Sequence, residues 1–397
     1  MTNLHLKPGW KISTLDEVAT EISNRTDNPS KSGFERFVGL EHFDSCELKI
    51  RRWGSTSDLI SAMKLFSKGD TLFARRNAYL RRASKVEFDG VCSGDAIVLR
   101  EKSKYLVEGF LPLLMNTDAF WEYALANAAG SMSKRVNVKS LMKYQFPLPP
   151  KDEQRGIADI LWAADESVES RLCVLDSIGS AWQSLIDNIV PDQSAVPGAR
   201  IGRLDDLCEM QNGRPFPSSN YSDTGFKLLR PGNLAPNGRL IWPQGATVFL
   251  DSKFASENWD WIIQPGDVVI NLTAQSLEDG FMGRVCLATA GDESLLNQRL
   301  GRFIVKSGTE REYLFRILQT SRFRRVVESH CEGSKVRHTY FRHFAALPVA
   351  LLSQEEQQRV IKAGRDIDNA KESANQAVDK ARSLIATLRE HLLGGDT

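Results

Sequence analysis

The sequence predicts an α+β protein in which two pseudo-repeated mixed α/β domains are separated by two long helices packed as an antiparallel coiled coil. Three observations support this fold class. The chain has 397 residues, which suits two or three domains. Its short sequence landmarks occur twice in the same order, and each copy closes with a long stretch of heptad spacing.

Five landmarks recur at offsets of 189 to 203 residues, always in the same order along the chain. The stretches between them match poorly, which predicts two copies of one scaffold that carry different surfaces. The paired landmarks are Leu15–Val18 with Leu204–Leu207, Lys68–Phe73 with Pro265–Ile270, Gly130-Ser131 with Gly333-Ser334, Pro147 with Pro348, and Glu153-Gln154 with Glu356-Gln357.

Each copy has the same predicted order of elements. Short β stretches bounded by Gly, Asp and Pro come first. A helical stretch follows, over Val107–Ala128 in the first copy and Glu310–Glu332 in the second, and then a basic Gly-Ser loop. The predicted strands are Arg36–Leu40, Thr71–Ala74, Ala96–Leu99, Lys227–Leu229, Val268–Asn271 and Arg302–Val305.

The helix that closes each copy shows coiled-coil spacing. In the first, Leu161, Val168, Leu175 and Trp182 lie seven residues apart, and Pro191 and Pro197 are expected to end the helix. The alternative to a coiled coil is that each helix packs only on its own domain. The residues of the last helix that repeat by seven are Val360, Ile367, Ala374, Ala381 and Leu388, with Ala363, Ala370, Ala377 and Leu384 in the other seam position.

Charge alternates along the predicted domains. The whole chain carries a net charge of +1, but the mixed domains 1–150 and 196–352 carry +5 and +3. The helical segments 151–195 and 353–397 carry −6 and −1. A phosphate-binding surface needs local rather than overall positive charge, so this distribution permits nucleic-acid binding.

Composition narrows the protein class further. The six cysteines are scattered and form no C-x-x-C pair, which argues against a disulfide framework or a zinc site. The N-terminal sequence lacks a signal-peptide pattern, and no apolar run approaches the roughly 18 residues of a membrane-spanning helix. We therefore expect a cytoplasmic protein with no membrane association.

The entry to the first long helix carries a family resemblance. Leu148–Ala158 reads LPPKDEQRGIA and resembles the start of the conserved helical region in specificity subunits of type I restriction-modification systems. The basic loop Gly130–Val136 and the stretch Gly69–Arg100 are similar to that family as well. The second copy departs at Leu347-Pro348-Val349, which lacks the double proline, but it keeps Glu355–Gln358.

The resemblance implies two target-recognition domains, each reading one half of a bipartite, asymmetric sequence in double-stranded DNA. The chain itself would hold no catalytic site, metal or cofactor. Two adenine methyltransferase subunits would dock on the helices and a motor-nuclease subunit would join for restriction, and these partners would bind S-adenosylmethionine, ATP and Mg²⁺. The candidate partner-binding residues are Glu153, Gln154, Leu161, Val168, Leu175, Trp182, Glu356, Gln357, Ile367 and Leu388.

Candidate DNA contacts are chosen by side-chain chemistry. Arg and Lys read guanine or hold phosphates, and Asn and Gln read adenine. The basic loop is taken to recur as Ser334, Lys335 and Arg337, and its alternative interpretation is a solvated polar loop. For the run from Arg75 to Arg82 the alternative is a charged strand edge. The candidates are Arg75, Arg76, Asn77, Tyr79, Arg81, Arg82, Ser133, Lys134, Arg135, Arg214, Arg230, Asn233, Gln298, Arg299, Ser334, Lys335 and Arg337.

Two other functions stay open from the sequence. The chain has no G-x-x-x-x-G-K-[ST] phosphate loop and no Asn/Asp-Pro-Pro-Tyr/Phe methyltransferase motif. A nuclease could hold Mg²⁺ between the carboxylates of Asp27 and Glu47, with Lys49 beside them, although this pattern is common and is not repeated in the second copy. A coiled-coil adaptor that binds proteins rather than DNA is the other alternative.

Overall fold

The computed structural model describes residues 6–130, 133–187, 200–277 and 279–393. The chain divides into two compact units. Unit 1 comprises residues 1–173 and 375–397, and unit 2 comprises residues 174–374. Pro191 and Pro197, like Ser131 of the first basic loop, lie outside the described residues. Within the described ranges, no helix is both long enough and apolar enough to cross a membrane.

Unit 1 consists of short strands and short helices, and the first long helix begins within it. Its helices are α1 Leu15–Val18, α2 Phe110–Leu114, α3 Asp118–Ala126, α4 Val138–Leu141 and the start of α5 Lys151–Asp187. Its strands are β1 Lys11–Thr14, β2 Ala19–Ile22, β3 Arg25–Thr26, β4 Arg36–Val38, β5 Gly54–Ser55, β6 Met63–Phe66, β7 Thr71–Ala74, β8 Ala83–Lys85, β9 Gly90–Cys92, β10 Ala96–Glu101, β11 Ala128–Ala129, β12 Arg135–Val136 and β13 Gln145–Leu148.

Unit 2 repeats this order of elements. Its helices are α6 Leu204–Leu207, α7 Lys253–Glu257, α8 Arg311–Leu318, α9 Ser321–Ser329, α10 Phe341–Phe344 and the start of α11 Gln354–Leu393. Its strands are β14 Arg200–Arg203, β15 Cys208–Asn212, β16 Phe226–Leu229, β17 Val248–Leu250, β18 Ile262–Ile263, β19 Val268–Asn271, β20 Thr273–Ala274, β21 Val285–Leu287, β22 Ser294–Leu296, β23 Leu300–Val305, β24 Arg337–His338 and β25 Pro348–Leu351.

The sheets of the two units have matching strand orders. An antiparallel sheet runs β2-β10-β7-β8 in unit 1 and β15-β23-β19-β21 in unit 2. A second sheet contains one parallel pair in each unit, β4 with β9 and β16 with β22. The predicted α+β fold class and its pseudo-repeat are therefore confirmed. α5 begins in unit 1 and ends in unit 2, whereas α11 begins in unit 2 and ends in unit 1.

The predicted helical stretches before the long helices are wrong in one respect. Each is two helices, α2 and α3 in unit 1 and α8 and α9 in unit 2. The break falls at Thr117 and at Thr320, whose hydroxyls accept a hydrogen bond from the backbone N–H of Phe120 and Phe323. A threonine that caps the second helix in this way ends the first one.

The Gly-Asp landmarks form the same turn ahead of the central strands β7 and β19. Asp70 accepts a hydrogen bond from the Ser67 N–H at 2.8 Å, and Asp267 accepts one from the Gln264 N–H at 2.9 Å. Both carboxylates also bind arginine, Asp70 through Arg100 and Asp267 through two arginines of unit 2. The turn thereby fixes where each buried central strand starts.

A buried glutamine anchors the first turn of each long helix. Gln154 is 1% exposed; its Oε1 accepts from the Val107 N–H at 3.0 Å, and its Nε2 donates to the carbonyls of Tyr105 and Pro149. Gln357 repeats all three bonds, from the Glu310 N–H and to the carbonyls of Gly308 and Leu352. Both amides are thus fully engaged within their own units.

The other candidate partner-binding residues divide by burial. Glu153 accepts a hydrogen bond from the Trp10 indole N–H at 2.8 Å, and Glu356 accepts one from the Ser353 backbone N–H. Both glutamates are exposed. The prediction that these residues bind a partner stays a prediction. Leu161, Val168 and Trp182 are buried, whereas Leu175, Ile367 and Leu388 are half-buried.

The second seam predicted for α11 is wrong at two positions. Ala370 is exposed and Leu384 is 57% exposed, whereas Val378 and Ile385 are buried. A straight α-helix has 3.6 residues per turn, so a strict seven-residue count drifts from its buried face. In unit 1 the mixed domain also helps to cover α11, since Glu47 forms an ion pair with Arg382.

In unit 2 a buried arginine contacts segments of both long helices. Arg316 of α8 is 2% exposed and binds Glu312 at 3.1 Å and Asp368 of α11 at 2.7 Å. Its guanidinium also lies over the Trp182 ring of α5, 5.7 Å from the ring centroid. A Cβ atom added at Gly364 would lie 2.5 Å from the Arg316 Nε. The arginine side chain therefore fits here because Gly364 has no side chain.

We predict that Gln154→Ala lowers the free energy of unfolding by about 2–4 kcal/mol, because each buried polar group left unpaired costs about 1–3 kcal/mol. Equilibrium denaturation measures the change. Gln358→Ala, at the exposed neighbour of the second anchor, is the control and should change it by less than about 0.5 kcal/mol. Equal effects of the two substitutions would contradict the anchoring role.

We predict that two glycine substitutions in the long helices have opposite effects on the free energy of unfolding. Gly364→Ala should lower the free energy of unfolding by about 1–3 kcal/mol, because Arg316 cannot move without breaking buried ion pairs. Gly179→Ala, whose added methyl group meets nothing within 4 Å, should raise it by about 0.5–1 kcal/mol through helix propensity. Thermal unfolding of both variants is the measurement, and stabilisation by Gly364→Ala would contradict the packing described.

Candidate nucleic-acid interface

Three loop segments of unit 1 meet beside the end of β7. The Arg75 N–H donates to the Asp95 carbonyl at 3.0 Å, and the Val136 N–H donates to the Arg75 carbonyl at 2.9 Å. The Asn77 N–H donates to the Lys134 carbonyl at 3.3 Å. Two clusters predicted separately from the sequence therefore form one surface. We call residues 75–77, 93–95 and 133–135 the unit 1 surface.

A carboxylate joins the two clusters of the unit 1 surface. The Asp95 Oδ2 lies 3.0 Å from the Arg76 Nη2, and its Oδ1 lies 3.1 Å from the Arg135 Nε. Both arginine side chains remain partly exposed, at 36% and 46%. Asp95 is absent from the sequence-predicted set, because a search for donors passes over carboxylates. The signal that points to it is the Gly-Asp turn ahead of β10.

The rest of the basic run has other roles in the structure. Arg82 donates to the carbonyls of Leu40 and Arg76, and burial lowers the pKa of its guanidinium. Arg81 forms an ion pair with Asp118. Tyr79 is 65% exposed and stays available to a ligand. Arg82 therefore supports the loop from within, and Arg76 is better placed for contact.

Two residues of this loop have left-handed backbone conformations. Asn77 has φ 55° and Arg81 has φ 48°. Asn adopts this region more readily than most residues, whereas Arg does so at a cost in free energy. Arg82 forms its hydrogen bonds across the same loop. Below the surface, buried Lys64 donates to the Ala96 carbonyl at 2.8 Å, and burial lowers the pKa of its amine.

Unit 2 builds an equivalent surface from the same backbone contacts. The Leu272 N–H donates to the Arg299 carbonyl at 2.9 Å, and the Thr339 N–H donates to the Leu272 carbonyl at 3.0 Å. β20 pairs with β24 so that Thr273 lies opposite His338. We call residues 272–274, 297–299 and 333–338 the unit 2 surface.

The predicted alignment of the two basic loops, which pairs Ser133 and Lys134 with Ser334 and Lys335, is wrong by two residues. A Cβ atom added at Gly130 would meet the Ser133 carbonyl, and one added at Gly333 would meet the Val336 carbonyl. Lys134 therefore corresponds to Arg337 and Arg135 to His338. Ser334 and Lys335, both exposed, correspond instead to positions 131 and 132, which lie outside the described residues.

The remaining candidates of unit 2 are not equally available. Asn233 is 5% exposed; its Oδ1 accepts from the Arg230 N–H at 2.9 Å and its Nδ2 donates to a backbone carbonyl, so it stabilises a turn. Arg230 lies over the Tyr221 ring, 5.6 Å from the centroid. Arg214 lies 5.0 Å from the Trp261 centroid, and its N–H donates to the strand that precedes the unit 2 surface. Gln298 and Arg299 are exposed at that surface.

The nuclease pattern has a different use in the structure. The two carboxylate oxygens of Glu47 bind Arg51 and Arg382, and Lys49 lies within ion-pair distance of Glu87 and of two carboxylates of α5. Arg51 also binds Asp165, whose pKa is raised by burial. Among the described residues, no group of three or more His, Cys, Asp or Glu side chains is arranged to hold a metal ion. Glu47 and Lys49 hold the long helices to unit 1.

Residues 8–172 match the family described as the type I restriction modification DNA specificity domain. The MjaVIII specificity subunit of a type I restriction enzyme from Methanocaldococcus jannaschii is 22% identical over 316 residues, which is 75% of this chain and 73% of that protein. The EcoDI specificity subunit of Escherichia coli is 24% identical over 168 residues, 41% of this chain and 37% of that protein. These similarities support the predicted family, the specificity subunits of type I restriction-modification systems.

Two solved structures share the fold. One is a chain from a structure that describes complex assembly and conformational transition of the type I R-M system, with a TM-score of 0.58 and 19% identity over 98% of this chain and 99% of that one. The other is the S subunit of a type I system from M. genitalium, with a TM-score of 0.52 and 12% identity over 100% of this chain and 99% of that one. Specificity subunits recognise DNA without catalysing a reaction, which confirms the predicted class of function. Which residues of this specificity subunit contact DNA stays a prediction.

Proposed function

We propose that this specificity subunit reads a bipartite, asymmetric sequence in double-stranded DNA, with one half-site for each surface. One observation carries the proposal. The two surfaces are built on the same backbone hydrogen bonds but present different side chains, Arg76, Asp95 and Arg135 in unit 1 against Thr273, Arg299 and His338 in unit 2. An equal frame with unequal side chains suits two unlike half-sites.

The proposed partners follow from the duplicated entry to the long helices. Two adenine methyltransferase subunits dock on the helical region, one for each copy of the repeat, and a motor-nuclease subunit joins this core for restriction. Ile160 and Val174 of α5 are each about half exposed, so an apolar helix surface remains for such contacts. S-adenosylmethionine, ATP and Mg²⁺ belong to the partner subunits, and the complex acts in the cytoplasm.

The experiment starts from the full chain, co-purified with an adenine methyltransferase subunit of the same host and selected on random duplex DNA. The expected product is a motif of two unlike half-sites at a fixed spacing. A protein-interaction adaptor would select no sequence. Failure to form a complex with the methyltransferase, or selection without a two-part motif, would refute the proposal.

A double variant tests which half-site belongs to unit 1. Lys134→Ala with Arg135→Ala should weaken binding and relax base preference in one half-site, since a bidentate base contact discriminates by about 1–3 kcal/mol. If the cations hold phosphates, each loss lowers the slope of log K against log salt by about 0.9. Lys31→Ala with Lys253→Ala removes the same charge at exposed positions outside both surfaces. Equal weakening by both double variants would contradict the assignment.

A further inference from the structure

One position of the repeat carries opposite charges in the two units. The Asp95 N–H donates to the Ser93 hydroxyl at 3.2 Å, and the Arg299 N–H donates to the Asn297 Oδ1 at 3.3 Å. In both units the N–H of the following residue donates to the carbonyl of the residue two positions before Asp95 or Arg299, at 2.9 Å. The carbonyl of Asp95 or Arg299 in turn accepts a hydrogen bond from a backbone N–H in the loop after the central strand. Asp95 and Arg299 are therefore equivalent in backbone position.

In unit 1 the carboxylate restrains two arginines. Each oxygen of Asp95 takes one guanidinium group, through the Nη2 of Arg76 and the Nε of Arg135. The Nη1 and Nη2 of Arg135 make no hydrogen bond to any residue that the structure describes, and the side chain is 46% exposed, so this edge of the guanidinium is open to a ligand. Guanidinium groups held by one carboxylate lie close enough to reach neighbouring base pairs, which are about 3.4 Å apart.

In unit 2 the same position supplies the cation itself. Arg299 is exposed, and its guanidinium forms no ion pair or hydrogen bond within the described ranges. Thr273 and His338 occupy the places of Arg76 and Arg135. One free arginine therefore replaces two restrained ones. The pattern of donors that a DNA groove meets differs between the units at this point.

We propose that the residue at position 95 or 299 determines which base edges each unit reads. Asp95 is a positioning residue that holds Arg76 and Arg135 toward the O6 and N7 acceptors of guanine in the major groove. Arg299 contacts a base directly. The inference rests on the proposed function and adds to it that guanine occurs in the half-site read by unit 1.

The test uses the full chain in its complex with the methyltransferase, and duplexes randomised within one half-site at a time. Asp95→Asn keeps the size of the side chain and removes its charge, while Asp95→Glu keeps the charge. Asp95→Asn should lower the preference for guanine over the second-best base at the same position about tenfold in one half-site. This change corresponds to the discrimination of a bidentate contact. Asp95→Glu should restore part of that preference, and the other half-site should not change.

Arg299→Gln is the matched variant in unit 2, at an exposed side chain whose loss leaves the fold intact. It should relax one position of the other half-site only. It also decides the question if Asp95→Asn unfolds, because an unchanged base preference in Arg299→Gln overturns the proposal. Equal loss of affinity for all sequences in Asp95→Asn, or a unit 1 half-site without guanine, overturns it as well. A wild-type complex that selects no sequence instead refutes the proposed function from which the inference starts.

Discussion

The three hydrogen bonds of a buried glutamine at the start of each long helix are the constraint on which the structure depends. Gln154 and Gln357 connect the first helical turn to the loop that follows the antiparallel sheet. They also connect it to the residue that links the preceding strand to the helix. Both amides are buried, so the helix cannot change its entry angle without leaving buried polar groups unpaired. Each mixed domain and its helix segment are thereby fixed as one body.

On this fixed frame, the surface that we propose for DNA recognition consists of three loop segments in each unit. Their backbone contacts are the same in both, which explains why the landmarks repeat while the sequence between them does not. Selection on such a protein can change side chains at the surface without disturbing the sheets or the helix anchors. The opposite charges of Asp95 and Arg299 on one turn are the clearest result of that freedom.

Much of the fold was predictable because its signals are local. β7 and β19 follow Gly-Asp turns as continuous apolar runs, and both have the predicted bounds. The breaks at Thr117 and Thr320 were missed because helical periodicity continues through a capping threonine. The candidate surface needed long-range pairing, since Arg76 and Arg135 meet only through strand contacts and Asp95. Asn233 lies in a turn that Pro231 and Gly232 indicate, but its burial also depends on the Ile241 carbonyl, eight residues farther along the chain.

We propose that one chain carries two different DNA-reading surfaces on a duplicated frame. Mapping modified adenines across the genome of the host, with and without this chain, tests it most directly. We expect one two-part motif, with unlike halves and a fixed spacing, that loses its methylation when the chain is deleted and regains it when the chain is restored. An unchanged set of methylated adenines, or the loss of a motif with identical halves, would contradict it.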